Sequence, residues 1–372
     1  MPHDGNALNC REAAAGPDLP ALPHHLRLAA LQCNFEGGRE HTLLLTRKWR
    51  EFGFNAEQLF HPCAELYTAV YDARQHRELL QDYLAEAKAC GLSVIMYLNC
   101  HILPPSQEDR RDDWAARDLH GNYLRLYDGT YYRPCYNSGW TDHFLAVVTS
   151  LRPLDIAGIF FDGPLAAVCG CPACRERFAA TCHRTLDTAS PAELAAFSRR
   201  TFLEFSRKIY HRVKEVNPAW LSYTNVGLLH GQWSAAEMRD ILSGEDMVGT
   251  EGGFQFYGRP QETPFFKCSL AAKAVEAVAA GRPGVIFMAG DHKPWSWYLH
   301  SPTETRLCYA AALANGAGVW YGLHGATTLL DSPTGAAVRE MLAFDHEHHN
   351  LYERTVSRAE VALFYSFDTA CH

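Results

Sequence analysis

Apolar runs of strand length alternate with segments of helical period along most of the chain. LRLAALQCNF (26–35) predicts a buried strand, and EHTLLLTRKWREFG (40–53) a helix stopped at Gly53. FNAEQLFHP (54–62) is a weaker strand, and RQHRELLQDYLAEAKACG (74–91) an amphipathic helix closed by Gly91. LSVIMYLNCH (92–101) is the strongest strand signal, followed by an irregular stretch, 102–134, rich in Pro, Asp, Arg and aromatics. SGWTDHFLAVVTSLRP (138–153) predicts a helix and IAGIFFDG (156–163) a strand. Two helical stretches span about 172–217 with a break near Ser190-Pro191. Strands are then expected at 219–227, 246–253, 283–291 and 318–325, and helices at 235–244, 266–281, 303–316 and 334–349.

Eight strand–helix alternations call for a parallel sheet, and that number favours a closed (β/α)8 TIM barrel over an open doubly wound sheet. No Gly-x-Gly-x-x-Gly or P-loop pattern follows an early strand, which weakens a nucleotide-binding reading. The barrel is expected over 23–352, behind a loose N-terminal arm at 1–22. AEVALFYSFDTACH (359–372) opens a ninth strand-like run, VALFYS, so 353–372 reads as the start of a further, truncated C-terminal domain.

The bulk composition agrees with a folded chain. Of 372 residues 47% are hydrophobic, enough for a large core, and the formal net charge is −8 without a basic run. Sequence-independent nucleic-acid binding, which needs clustered Lys and Arg, is therefore disfavoured. No N-terminal signal-peptide core and no window near the roughly 20 apolar residues of a membrane span is present, so a soluble, cytoplasmic protein is expected. Most of the thirteen cysteines stand singly in apolar segments (Cys33, Cys90, Cys100, Cys268, Cys308), the pattern of reduced, buried thiols.

In a barrel, site residues gather where the strands end. Read in order, those ends carry Asn34, His61, Asn99 with His101, Asp162, Asn225, Glu251, Asp291 with His292, and Tyr321 with His324. Singly each is ordinary loop chemistry; their convergence suggests a polar pocket. Tyr131, Tyr132, Trp140, Phe256, Tyr257, Trp295, Trp297, Tyr298 and Trp320 crowd the same regions, either as loop packing or as stacking platforms for sugar rings. Carboxylate pairs perform glycoside hydrolysis, and three strand-end candidates exist. Asp162 precedes a sharp Gly-Pro exit, Glu251 sits in TEGGF, and Asp291 in GDHKPW.

GIFFDGPLAAVCGCPACRERF (158–178) then places Cys169, Cys171 and Cys174 in a C-x-C-x-x-C cluster. Tetrahedral zinc needs a fourth ligand. Cys135 in RPCYNSGW is the best candidate, so a structural Zn2+ on Cys135, Cys169, Cys171 and Cys174 is expected, with packed free thiols as the bland alternative. Cys135-x-Asn137-Ser138, GIFFDGP and CGCPACRERF together resemble the hypothetical glycosyl-hydrolase-like (type 6) family and, more distantly, the zinc-containing β-galactosidases of glycoside hydrolase family 42. The resemblance is specific over about 131–180 and diffuse over the rest of 26–350; ANGAGVWYG fits the same group. It implies a barrel with a cysteine zinc site beside the fourth strand, and it makes AEVALFYS look like the opening of a Rossmann-like domain. Where those galactosidases carry Asn-Glu at the end of strand four, this chain has Asp-Gly. An aspartate there resembles retaining α-glycosidases, α-L-fucosidases included, and implies Asp162 as nucleophile and Glu251 as acid/base.

The resulting expectation is a cytoplasmic retaining glycosidase acting on a small glycoside or oligosaccharide. Asn34, His61, Asn99, His101, Asn225, Asp291, His292, Trp295, Trp320, Tyr321 and His324 are its candidate sugar-binding residues. Rival readings are a β-glycosidase with Glu251 or Asp291 as nucleophile, a non-catalytic carbohydrate-binding barrel, and a metal-dependent hydrolase. The sugar, the linkage and the oligomeric state, a homo-oligomer included, stay open.

Overall fold

A computed structural model describes residues 25–31, 38–59, 77–103, 109–127, 129–163, 166–229, 231–252, 266–292, 295–323, 330–352, 355, 357–361 and 363–370. Its centre is an eight-stranded parallel sheet. The strands are β1 (Arg27–Leu31), β2 (Ala56–Leu59), β3 (Ser93–Asn99), β4 (Gly158–Asp162), β5 (Leu221–Thr224), β6 (Val248–Glu251), β7 (Gly284–Ala289) and β8 (Gly318–Leu323). Each pairs with its neighbour in sequence, and β8 returns to β1 with Leu28 opposite Trp320. A parallel bridge from Asn225 to Gly249 joins β5 to β6 and completes the circle. The fold is a (β/α)8 TIM barrel, as the alternating pattern predicts. Its helices are α1 (Gly38–Phe52), α2 (Arg77–Ala89), α3 (Trp140–Ser150), α4 (Pro191–Val216), α5 (Ala235–Ser243), α6 (Lys267–Ala279), α7 (Pro302–Leu313) and α8 (Pro333–Tyr352).

Side chains alternate between the two faces of each strand. On β4, Phe161 points outward to Phe144 of α3, with ring centroids 5.9 Å apart. Phe160 points inward, where its ring meets Tyr97, Tyr223 and Phe287. Trp320 joins the same interior layer through Phe287, at 5.3 Å. Large rings fit there because neighbouring positions are small: a Cβ on Gly249 would fall 2.5 Å from the Phe287 ring. Tyr97 lies beside Phe160 in register, and the same parity carries Asp162, Asn225 and Glu251 inward at the next level up.

The break predicted near Ser190 has a physical cause. Ser190 caps α4, its side chain accepting from the Glu193 N–H while Glu193 reaches back to the cap, and Pro191 occupies the first turn. The preceding helix, Pro172–Cys182, ends at His183 in the left-handed conformation. Among the described residues of 357–370 no strand forms. A short helix, Phe367–Ala370, packs near α5, and Asp368 accepts a 2.9 Å hydrogen bond from the Ala235 N–H. Among the described residues no helix is long and apolar enough to cross a membrane.

On the outer face of β2, Glu57 is fully buried and accepts from Trp49 of α1 (3.1 Å) and Tyr83 of α2 (2.5 Å). Burial pushes its pKa up to about 7 despite these two bonds. The folded protein thus keeps a proton that the unfolded chain releases above its ordinary value of 4.5. The contribution is complete below that value, declines as the pH rises, and is gone above about 7, a loss of about 3 kcal/mol. Glu245, pushed to about 8 by its own burial, adds a second decline of the same sign. Glu57→Gln is expected to flatten the fall of Tm between pH 5 and pH 8, leaving the part due to Glu245. An unchanged slope in a calorimetric pH series would show that Glu57 is not the group responsible.

Candidate active site and sulfur cluster

Three inward positions at the carboxyl ends of adjacent strands form the centre of the barrel mouth. Asp162 ends β4, Asn225 follows β5 and Glu251 ends β6. The Asn225 side-chain amide donates to Asp162 Oδ1 and to Glu251 Oε1, each at 3.3 Å. One nitrogen therefore touches both carboxylates, and those two oxygens lie no farther apart than twice that length. Tyr97 donates from its hydroxyl to the other Asp162 oxygen at 2.6 Å. Each Asp162 oxygen thus has a fixed donor, and Asp162, Asn225 and Glu251 all remain partly open to solvent.

The turn beneath Asp162 is tightly specified. Its main-chain oxygen accepts from the Cys100 N–H (3.0 Å) and thiol (3.2 Å), and lies 3.2 Å from His101 Nδ1. A carbonyl can only accept, so the His101 proton belongs on Nδ1, and Nε2 accepts from the Tyr127 hydroxyl at 2.9 Å. Burial holds the His101 pKa below its ordinary value, against the nearby Asp162 charge, so the ring is kept neutral at physiological pH. Gly163 completes the turn with φ +65°, and a Cβ there would fall 2.0 Å from His101 Nδ1. Asn99, fully buried, accepts from the N–H groups of His101 and Ile102 and donates to Tyr97. Its amide is therefore engaged in shaping the loop after β3 and in supporting Tyr97.

Beside this turn lie four buried cysteines. Cys135, Cys169, Cys171 and Cys174 bring their Sγ atoms within 4.8 Å of one another. Cys135 Sγ is 3.4 Å from both Cys171 and Cys174, far beyond the roughly 2.05 Å of a disulfide. Bonding from Cys135 holds the Cys169 and Cys171 thiols below their ordinary pKa, and the same contacts push Cys135 up. Four converging sulfurs, unbridged and buried, fit a tetrahedral metal ion. Tetrahedral bonds of about 2.3 Å would set sulfurs about 3.8 Å apart.

The cluster ties two loops together. The 115–135 segment folds as a ribbon, Arg125–Leu126 against Tyr131–Tyr132, and Cys135 donates its N–H to Trp114. Gly170, between two of the cysteines, donates to Arg117, and a Cβ on it would fall 2.8 Å from the Asp118 oxygen. Arg175 clamps the junction by donating to the oxygens of Gly170 and Leu119.

Not every expected site residue is placed at this centre. Asn34, His61, His324, Phe256 and Tyr257 lie outside the described residues. His292 and Trp295 belong to an antiparallel hairpin after β7, Asp291–His292 against Trp295–Leu299, with Trp297 and Tyr298 in its second strand. That hairpin gave no sign in the sequence. Asp291 is fully buried, and its charge raises the pKa of buried Tyr321 after burial itself. The Tyr321 hydroxyl is turned toward Gly290. A carboxylate so enclosed is poorly placed to attack a substrate. Trp140, grouped with the loop aromatics although it falls within the predicted helix 138–153, begins α3 and packs fully buried against Trp114 and Phe144. Trp320 lies inside the barrel, 6% exposed, in the aromatic layer beneath the mouth. Tyr97 and Tyr127, by contrast, are site residues that strand-end reading missed. Tyr97 lies two residues inside its strand, and Tyr127 lies in the irregular stretch.

No family model and no curated protein sequence matches the chain. Solved structures do match at low identity. α-L-Fucosidase isoenzyme 2 from Paenibacillus thiaminolyticus superposes with a TM-score of 0.67 at 18% identity, over 88% of this chain and 50% of that one. A β-galactosidase from Bacillus circulans sp. alkalophilus gives 0.71 at 11% identity, over 92% and 59%. The PgaB (BpsB) glycoside hydrolase domain from Bordetella bronchiseptica gives 0.62 at 13%, over 86% and 99%. The chain thus spans between half and three fifths of the fucosidase and of the galactosidase. At these identities the likeness establishes the barrel fold.

Gly163→Ala tests the turn that carries Asp162. The left-handed backbone alone costs about 1–2 kcal/mol for a residue with a Cβ, and His101 must also move. The denaturation midpoint is expected to fall and the His101 ring resonances to shift. A variant with the parent's midpoint and spectrum would contradict the close approach of Gly163 to His101.

Proposed function

We propose that the chain is a retaining glycoside hydrolase in which Asp162 is the nucleophile and Glu251 the acid/base. The observation that carries this reading is the contact of the Asn225 amide with both carboxylates. Retaining enzymes hold their carboxyl groups about 5–5.5 Å apart and inverting enzymes about 6.5–9.5 Å. The ceiling set by two 3.3 Å hydrogen bonds favours the shorter class. The fold shared with a fucosidase, a galactosidase and a glycoside hydrolase domain supports the same reaction class.

In this mechanism Asp162 attacks the anomeric carbon and forms a glycosyl ester as the bond to the leaving oxygen breaks. Glu251 gives that oxygen its proton. Glu251 then takes a proton from water, the water oxygen bonds to the anomeric carbon, and Asp162 is released. Asn225 and Tyr97 keep the carboxylates in register, as near-attack geometry requires. The buried aromatic layer with Trp320 packs beneath this level of the barrel.

Zinc is the metal best suited to Cys135, Cys169, Cys171 and Cys174. Four protein ligands leave no position for substrate, so the ion would brace the loops on either side of β4. Purified protein is expected to carry one zinc per chain. Removing it with a chelator should lower Tm by several degrees, on the scale of structural zinc sites. Metal-free protein with an unchanged Tm would remove the ion from the account.

Asp162→Asn should keep the fold and abolish turnover of nitrophenyl glycosides. Glu251→Gln should slow poor leaving groups by orders of magnitude more than activated aryl groups, which depart without a proton. Azide should partly rescue Asp162→Gly and yield a glycosyl azide of inverted configuration. Near-normal turnover by Asp162→Asn would dismiss Asp162 as nucleophile. Selective loss of poor leaving groups in Asp162→Asn, with azide rescue of Glu251→Gly instead, would reverse the two roles.

A further inference from the structure

We propose that Tyr127 is a positioning residue for the carboxylate pair, acting on Asp162 through His101 and set in place by the cysteine-bound loop. This rests on the proposed roles of Asp162 and Glu251. Four observations carry it.

The first is backbone strain. Tyr127 has φ 51°, a left-handed conformation uncommon for a residue with a large side chain. It opens a turn closed by a hydrogen bond from the Thr130 N–H to the Tyr127 oxygen, with Gly129 also at positive φ. Glycine or asparagine at position 127 would form such a turn at lower cost. Nor does burial of the whole residue offset the strain, because Tyr127 is 49% exposed. The side chain must therefore be wanted for where its hydroxyl goes.

The second is that destination. The hydroxyl end is tucked inward, 2.9 Å from His101 Nε2, and the two rings meet at 5.9 Å. His101 in turn faces the main-chain oxygen of Asp162 through Nδ1. Tyr127 to His101 to Asp162 is thus a directed chain of hydrogen bonds. It fixes the ring of His101, and the ring fixes the Asp162–Gly163 peptide from which the carboxylate projects.

The third is electrostatic. Burial, followed by the charges of Asp162 and Glu251, pushes the Tyr127 hydroxyl well above its ordinary pKa. The hydroxyl therefore stays protonated and able to donate throughout the physiological range. The Arg133 charge acts against this rise at Tyr127 and adds to the lowering at His101.

The fourth is the path from the sulfur cluster. Tyr127 directly follows the first strand of the ribbon, Arg125–Leu126, and Cys135 lies three residues beyond the second, Tyr131–Tyr132. The Ala116 N–H bonds to Arg133, the Leu124 N–H to Ala116, and the Arg133 N–H to Leu124. The ribbon that presents Tyr127 is thus anchored at its base by Cys135.

The test uses the full chain and two readouts. Nitrogen-15 spectra of histidine-labelled protein are expected to show His101 neutral with its proton on Nδ1. Tyr127→Phe should shift the His101 resonances, keep the fold, and lower kcat about 10- to 100-fold with KM little changed, the signature of lost alignment. A proton on Nε2, or a Tyr127→Phe enzyme with the parent's kcat, would overturn the proposal. The tautomer is measured on the unaltered protein, so it decides even if the variant does not fold. Failure of the underlying reading looks different: Asp162→Asn would then turn over normally while the Tyr127→Phe spectrum still shifted.

Discussion

One carbonyl oxygen, that of Asp162, holds the candidate site together. It receives two donors from Cys100 and faces the ring of His101, so the end of β4 is bonded to the loop that leaves β3. Everything that gives the mouth its chemistry branches from that junction. The Asp162 carboxylate projects from it toward Tyr97 and Asn225, and Asn225 extends the contact to Glu251. His101 extends it outward to Tyr127. Gly163 is the residue that permits the junction, because any side chain there would occupy the place of the His101 ring.

The barrel supplies the frame for this arrangement by parity alone. Inward positions on β3 to β6 run from the aromatic layer of Phe160 and Tyr223 to the polar level of Asp162, Asn225 and Glu251. A buried aromatic layer thus lies beneath a polar rim whose members stay partly open to solvent. The sulfur cluster lies outside this frame. Its four sulfurs converge where the loops after β3 and β4 meet, and the Gly170 N–H bonds to the Arg117 oxygen across the same junction. The cysteines are themselves part of a small buried core with Ala116, Phe178, Leu186, Leu194 and Phe197, which holds these loops by apolar packing as well.

The barrel was legible because strand and helix periods are local signals, and the eight strands lie where apolar runs end in polar residues. Asp162, Asn225 and Glu251 were legible for the same reason: parity brings strand-end residues inward together. Cys135 could be joined to the C-x-C-x-x-C run because thiols of one kind seek one centre. Tyr97 was hidden by its own strand, where a tyrosine reads as core. Tyr127 was hidden because its role depends on a turn and on a partner 26 residues away in sequence. Trp140 misled in the opposite sense, since a residue that begins a helix can be as deeply buried as any in its middle. Asp291 shows that a carboxylate at the end of a barrel strand can be fully buried, a property that depends on tertiary packing and leaves no local mark.

The central claim is that Asp162 forms a covalent bond to the sugar while Glu251 manages the proton. A fluorinated glycoside that forms the ester faster than water removes it would expose this bond directly. After incubation and proteolysis, the mass of one glycosyl unit should appear on the peptide that contains Asp162. The same mass on the Glu251 peptide, or on none although the substrate is consumed, would contradict the assignment.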